Sequence, residues 1–447
     1  MKPRVFAFLL LGVAIALPFT IRADQERNPT DRDDRDCRDS DHHEHNVKTP
    51  VRLIGVIPVP GNPITSADIA WVDPGTERYY FADRSNFGVD IIDAESNLFV
   101  GRVGGMVGPT GPGAPNGPGP NGVLVTPNGK LWAGDGNSQV QVADVNPDSP
   151  NYNIIGTIST ALPVCDSASA HYCGRADELG YDPKHHVILI ANNAPLSVAA
   201  PHGPIDPYAT FISAVPPYPV LGHIAFAGAG GLEQPLWDAG IGRFLLTVPG
   251  KIVGGVVVTQ PSVVVINPTT MMVEHAKYFD CQALAGVTNA SANGIALGAF
   301  QHVLVSACGQ PMLFSALKLL KPGVLTPIVI KQVGGGDEVW YNPGDGRFFV
   351  TGTSATVTPP VQQLGVIDAE HSMWLQNVSD PTGTFASGKN ASAFPEQNHI
   401  FTIVQIPVAS AIDPTKDISV CTQFGLRGRG CIAVYAHGTR GDDEDEK

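Results

Sequence analysis

Seven short strand-like runs recur along this chain, and each opens on an Asp, Asn or Glu. The openers are Asp68 (DIAWVDP), Asn121 (NGVLVTP), Asp177 (DELGYDP), Glu233 (EQPLWDA), Asn293 (NGIALGA), Asp337 (DEVWYNP) and Asn390 (NASAFPE), spaced 44 to 60 residues apart. A period of this size marks an architecture built blade by blade, so the openers are expected at equivalent places around one rotational axis. Within the first unit, DIAWVDP is followed by RYYFADRS, GVDIIDA and LFVGRVG, and the second repeats the pattern as NGVLVTP, KLWAGDG, QVQVADV and YNIIGTI. Each run is apolar or alternating and bounded by Gly, Asn, Asp or Pro, which is the signature of a strand.

The seventh unit holds only three strands of its own, ASAFPE, HIFTIVQ and CIAVYAH. The run VRLIGVIPV at 51–59 belongs to no other unit and is expected to supply the fourth, closing the ring and removing its free sheet edges. The fold class is therefore all-β: a seven-bladed β-propeller over 51–438, closed by an N-terminal strand that completes the last blade.

The flanks read differently. Residues 1–23 have a positive start (Lys2, Arg4), an apolar stretch from Val5 to Leu17 and a cleavage position after Ala23, the pattern of a secretory signal peptide. Residues 24–50, with the tract DHHEH at 41–45, read as a disordered acidic and His-rich arm, and 439–447 as an acidic disordered tail. The chain is thus expected to be secreted or periplasmic and monomeric, with no membrane insertion. A net charge of −14 without a basic stripe excludes nucleic acid as a partner and favours a cation or a cationic small molecule. An unidentified protein partner is the other candidate. Seven cysteines in an exported chain suggest loop staples, pairing Cys165 with Cys173, Cys281 with Cys308 and Cys421 with Cys431, and leaving Cys37 over.

The first strand of each blade lines the channel, and its beginning shares a face with the longest loops: 104–122, the segment around Cys165 and Cys173, 193–209 and 407–430. That face is the expected binding mouth. Four carboxylates and three amides offer hard oxygen donors, which suit Ca²⁺ above all, or Mg²⁺ or Mn²⁺. The expected direct metal ligands are Asp177, Glu233, Asn293 and Asp337. Asp68, Asn121, Glu338 and Asn390 complete the ligand-binding set, Glu178 and Glu338 being alternatives for the inward position because adjacent strand residues face opposite ways. Glu178 or His171 would handle a proton if the site is catalytic, and His202 is a further mouth-side histidine. A purely structural ring is the competing expectation, since Asp and Asn open strands by bonding nearby backbone N–H groups. Asp83 and Asp135 read as turn residues, and Trp71, Trp237, Trp340 and Tyr181 as packing between blades.

The units YYFADRSNFGVDIIDAE and LWAGDGNSQVQVADV resemble the repeats of the NHL and YVTN propeller families, which supports the fold. A narrower resemblance is to the gluconolactonase and senescence-marker family of six-bladed propellers, which hold a divalent metal at channel-strand starts. LEQPLW around Glu233 and SANGIAL around Asn293 look like that family's glutamate and Ser-Asn-Gly motifs, with Asp337 standing for its aspartate. This resemblance implies a metal-dependent lactonase or esterase-like hydrolase. It departs in having seven blades and no Pro-Asp-Gly segment at Asp337. The alternative is a non-catalytic binding or protein-interaction scaffold.

Overall fold

A computed structural model describes residues 50–109, 118–148, 152–163, 174–193, 206–254, 256–287, 291–298, 302–353, 362–379 and 390–437. The expected leader, most of the arm, the tail, Cys37, Cys165, Cys173, His171 and His202 lie outside them.

Seven four-stranded antiparallel sheets follow one another along the chain. Blade 1 runs Ala70–Asp73, Arg78–Asp83, Gly88–Asp93 and Leu98–Gly104, and blade 2 runs Val123–Thr126, Lys130–Asp135, Gln139–Asp144 and Ile154–Ser159. Blade 3 comprises Ala176–Asp182, Val187–Asn192, Tyr208–Ser213 and Val220–Ala225; blade 4 comprises Pro235–Asp238, Arg243–Val248, Ser262–Asn267 and Met272–Tyr278. Blade 5 is Ala292–Leu297, His302–Ala307, Gln310–Ser315 and Ile328–Val329, and blade 6 is Val339–Asn342, Arg347–Thr353, Gln362–Asp368 and Met373–Ser379. In blade 7, Ser392–Phe394, His399–Val404 and Cys431–His437 are joined by Val51–Ile57, whose register runs from Val51 opposite His437 to Ile57 opposite Ile432. The ring thus closes with the strand the repeat count requires.

Burial explains the order within a blade. Second strands sit between neighbours on both sides and bury continuous apolar runs, as in Tyr79, Tyr80 and Phe81. Outer strands alternate, as in Val220–Ala225, because one face meets water. The core is accordingly divided into seven slabs, each filling the gap between one blade and the next: Tyr80, Val89, Val125 and Leu131 between blades 1 and 2, for example, and Phe349, Val366, Ala393 and Ile400 between blades 6 and 7. Trp71 and Trp340 meet edge to face, ring centroids 5.3 Å apart, from the first strands of blades 1 and 6.

Two elements depart from the sequence reading. A two-stranded hairpin, Lys251–Val253 with Val256–Thr259, is inserted between the second and third strands of blade 4; its Gly-Gly turn between apolar runs is a hairpin signal inside what reads as a loop. The outer strand of blade 5 pairs only at Ile328–Val329, although the strand-like run PIVIKQV extends over 327–333. Disulfides join Cys281 to Cys308 and Cys421 to Cys431, as their spacing suggested, and suit an oxidising compartment. No helix among the described residues is long and apolar enough to cross a membrane.

Candidate functional site at the channel mouth

Each opener stands at or beside the start of the innermost strand of its blade, and those strands touch their neighbours in cyclic order around the axis. Two Asn-Gly openings make the close approach possible. A Cβ on Gly122 would lie 2.4 Å from the Asp177 carbonyl oxygen and from the Glu178 Cα, and one on Gly294 would lie 2.5 Å from the Asp337 carbonyl oxygen. Each glycine therefore seats the Asp-Glu pair of the following blade.

From blade 7 to blade 3 the ring is tied by hydrogen bonds. The Asn390 amide donates to the Asp68 carbonyl at 2.7 Å, and the Asn121 amide donates to the Ala176 carbonyl at 2.7 Å. Between them lies Arg84, whose guanidinium is paired with the Asp68 carboxylate and donates to Asn121 Oδ1 at 2.5 Å and to the Pro120 carbonyl at 3.2 Å. Asp68, Arg84, Asn121 and Asn390 are all buried.

Blades 3 to 6 hold their acids more loosely. Arg175 donates to Asp177 Oδ2 through Nε at 2.9 Å and through a terminal nitrogen at 2.7 Å. The Asn193 amide reaches both Asp177 Oδ2 at 3.0 Å and Glu233 Oε1 at 3.3 Å. Asn293 donates to Asp337 Oδ1 at 3.4 Å, while its own Oδ1 accepts from the Ser291 hydroxyl. Behind this row, Glu178 and Glu338 are buried, and Glu178 Oε2 and Glu338 Oε1 have no hydrogen-bond partner among the described residues. Burial raises both carboxyls well above the ordinary glutamate range, and neighbouring acids add to it: Glu233, Asp177 and Asp337 at Glu178, and Asp337 and Asp68 at Glu338. Glu233 is pushed up by burial and by Asp337 and Asp177, against the pull of Arg175.

The sequence-predicted residues thus fall into two sets. Asp68, Asn121 and Asn390 act as fasteners between blades, and Asp177, Glu178, Glu233, Asn293, Asp337 and Glu338 gather at the other side of the mouth. Among the described residues, no three His, Cys, Asp or Glu side chains are arranged to hold a metal ion. The four expected metal ligands would need Arg175 to leave Asp177, Asn193 to leave Asp177 and Glu233, and Ser291 to release Asn293 before they faced one ion. Sequence reasoning missed Arg84, Arg175 and Asn193. Arg175 had a signal: it stands two residues before Asp177, and extended residues two apart share a face. Arg84 had none, because it reaches the mouth from a 3₁₀ turn, Arg84–Asn86, whose N-cap is Asp83. The turn role of Asp83 and Asp135 holds: Asp83 accepts from the Asn86 N–H, and Asp135 from those of Gly136 and Val107.

A seven-bladed β-propeller with an acid-rich channel mouth is the class that this geometry defines. No family model matches the chain, and no curated protein does. Among solved structures, a chain of the crystal structure of the mitotic checkpoint complex aligns with a TM-score of 0.53 at 10% identity, over 95% of this chain and 99% of that one. At that identity the likeness is one of fold alone.

Proposed function

We propose that the protein is an exported propeller that binds a small cationic ligand, a hard metal ion or a protonated amine, at the channel mouth. The observation that carries this reading is the imbalance of charge on one side of the mouth: Asp177, Glu178, Glu233, Asp337 and Glu338 act on one another there, and Arg175, the arginine beside them among the described residues, is already paired with Asp177. A cation entering there relieves the mutual repulsion of several buried acids at once. A metal-dependent lactonase or esterase would ask in addition for a proton carrier, and Glu178 is the candidate carrier among the described residues. Where Ca²⁺ is the occupant, Asp177, Glu233, Asn293 and Asp337 are the residues to hold it, after Arg175, Asn193 and Ser291 have turned away.

Partnership with another protein is the second reading, favoured by the solved neighbour being part of a complex and by apolar exposure on the stapled insertion at Val408, Ile412, Ile418 and Phe424. The test for the first is metal analysis and calorimetry on protein purified without chelator, titrated with Ca²⁺ and with alkylammonium ions. Binding lost in Glu233→Gln supports the proposal, and a wild-type chain that takes up no cation of either kind overturns it.

A further inference from the structure

Three polar side chains stand one residue after an opener, Glu178, Gln234 and Glu338, and two of them bond across blades. Gln234 in blade 4 accepts through Oε1 from the N–H of Ile295 in blade 5 at 2.8 Å. Glu338 in blade 6 accepts through Oε2 from the N–H of Ala70 in blade 1 at 3.2 Å. In both cases the acceptor stands one residue after an opener and the donor two residues after another, on the strand edge that faces the channel. Glu178 stands at the matching place in blade 3. The matching donor in blade 4 is position 235, which is proline and has no N–H. The next one round, Ile295, is already bonded to Gln234. The two strands are not held apart, since a Cβ on Gly180 would lie 3.2 Å from Pro235. The orphaned Oε2 of Glu178 is therefore a consequence of two residues in blade 4: a proline that offers no donor and a glutamine that has taken the alternative one.

A buried acceptor left without a donor is costly unless something else fills the role. The neighbours decide what kind of group that is. Glu178 is surrounded by Glu233, Asp177, Asp337 and Glu338, so a neutral hydroxyl would satisfy one oxygen and leave the repulsion, whereas a cation answers both. Ca²⁺ asks for six to eight oxygens at about 2.3–2.6 Å, and no three acids among the described residues are gathered for one. A protonated primary amine brings three N–H donors and one charge, and needs only scattered single acceptors.

We propose that Glu178, freed by Pro235, is the specificity-determining contact for a primary ammonium group at the channel mouth. This rests on the reading of the mouth as a cation site and names the cation. The group belongs to a free small amine, because the acceptor is 3% exposed and lies behind the row of openers.

The experiment uses the full chain at pH 7.5 and two probes, methylammonium and Nα-acetyl-lysine methylamide, titrated by calorimetry or saturation-transfer NMR. Expected results are tenfold or greater weakening of methylammonium binding in Glu178→Gln, and several-fold weakening in Pro235→Ala, which restores the missing N–H and gives Oε2 a partner. The surface variant Glu274→Gln should bind as the wild type does. Melting curves confirm that Glu178→Gln is folded should Pro235→Ala prove unstable. Binding of the lysine derivative but not methylammonium overturns the free-amine source. Unchanged affinity in Glu178→Gln overturns the inference and leaves the cation-binding mouth intact, as does Ca²⁺ binding with no amine binding. Absence of binding by either amine and by Ca²⁺ overturns both.

Discussion

The two arcs of the ring of openers stand at equivalent places in the repeat and differ in how their polar groups are satisfied. From blade 7 through blade 2, Asn390, Asp68, Arg84 and Asn121 form an unbroken hydrogen-bonded run in which every charge is matched. From blade 3 through blade 6, two buried carboxylate oxygens, Glu178 Oε2 and Glu338 Oε1, have no partner among the described residues. The difference teaches that an opener's chemistry is decided by its neighbours. An amide beside a carbonyl becomes a fastener, and a carboxylate facing other carboxylates is pushed toward its protonated form by them. Residue type alone did not separate these roles, since Asp68 belongs to the fastened arc.

The comparison is easiest to break on the fastened arc. Asp68→Ala strands the buried Arg84 guanidinium, and a loss of about 3–5 kcal/mol is expected in chemical denaturation; a loss below 1 kcal/mol would mean the arc is not tied as described. Gly122→Ala should cost about 1–3 kcal/mol, because the new methyl meets backbone of blade 3 and not a movable side chain. Asn121→Ala should cost a similar or smaller amount, about 1–3 kcal/mol, by leaving the Ala176 carbonyl without its donor. In Asn121→Ala cation affinity should not fall once the protein is folded.

On the open arc the expectation inverts. Glu233→Gln and Glu338→Gln remove buried, mutually repelling charges, so stability at pH 7.5 should stay level or rise while cation binding falls in the former. The pH dependence has a definite sign. Glu178, Glu233 and Glu338 have folded values raised above the ordinary 4.5, so the stability they contribute is complete below 4.5 and is lost as pH rises through the raised values. Melting temperature measured upward from pH 4.5 should therefore fall less steeply in Glu178→Gln than in the wild type. An identical slope would show that this acid does not titrate in that window. This is the smallest of the effects.

Much of the fold was legible because it is written in strand-length runs that repeat. The seven openers, the borrowed strand at Val51–Ile57 and the pairs Cys281–Cys308 and Cys421–Cys431 each had a local signal. The site was legible only as a level in the molecule. Whether Asn121 or Glu233 faces a ligand depends on which group arrives from the next blade, and Arg84, coming from a turn after the second strand, carries no periodic mark. The role of Pro235 was hidden for the same reason: its missing N–H matters only once Glu178, from another blade, is placed beside it.

The pairing of Val51 with His437 also has a consequence for synthesis and for handling. His437 contacts Asp345 in the short turn between the first and second strands of blade 6, so both ends of the propeller emerge on the side away from the mouth. The earliest and latest propeller strands to leave the ribosome must find each other before the circle is complete, so the ring cannot close until its last strand has been made. Labels, surfaces or fused partners attached at either end would leave the pore entrance unobstructed.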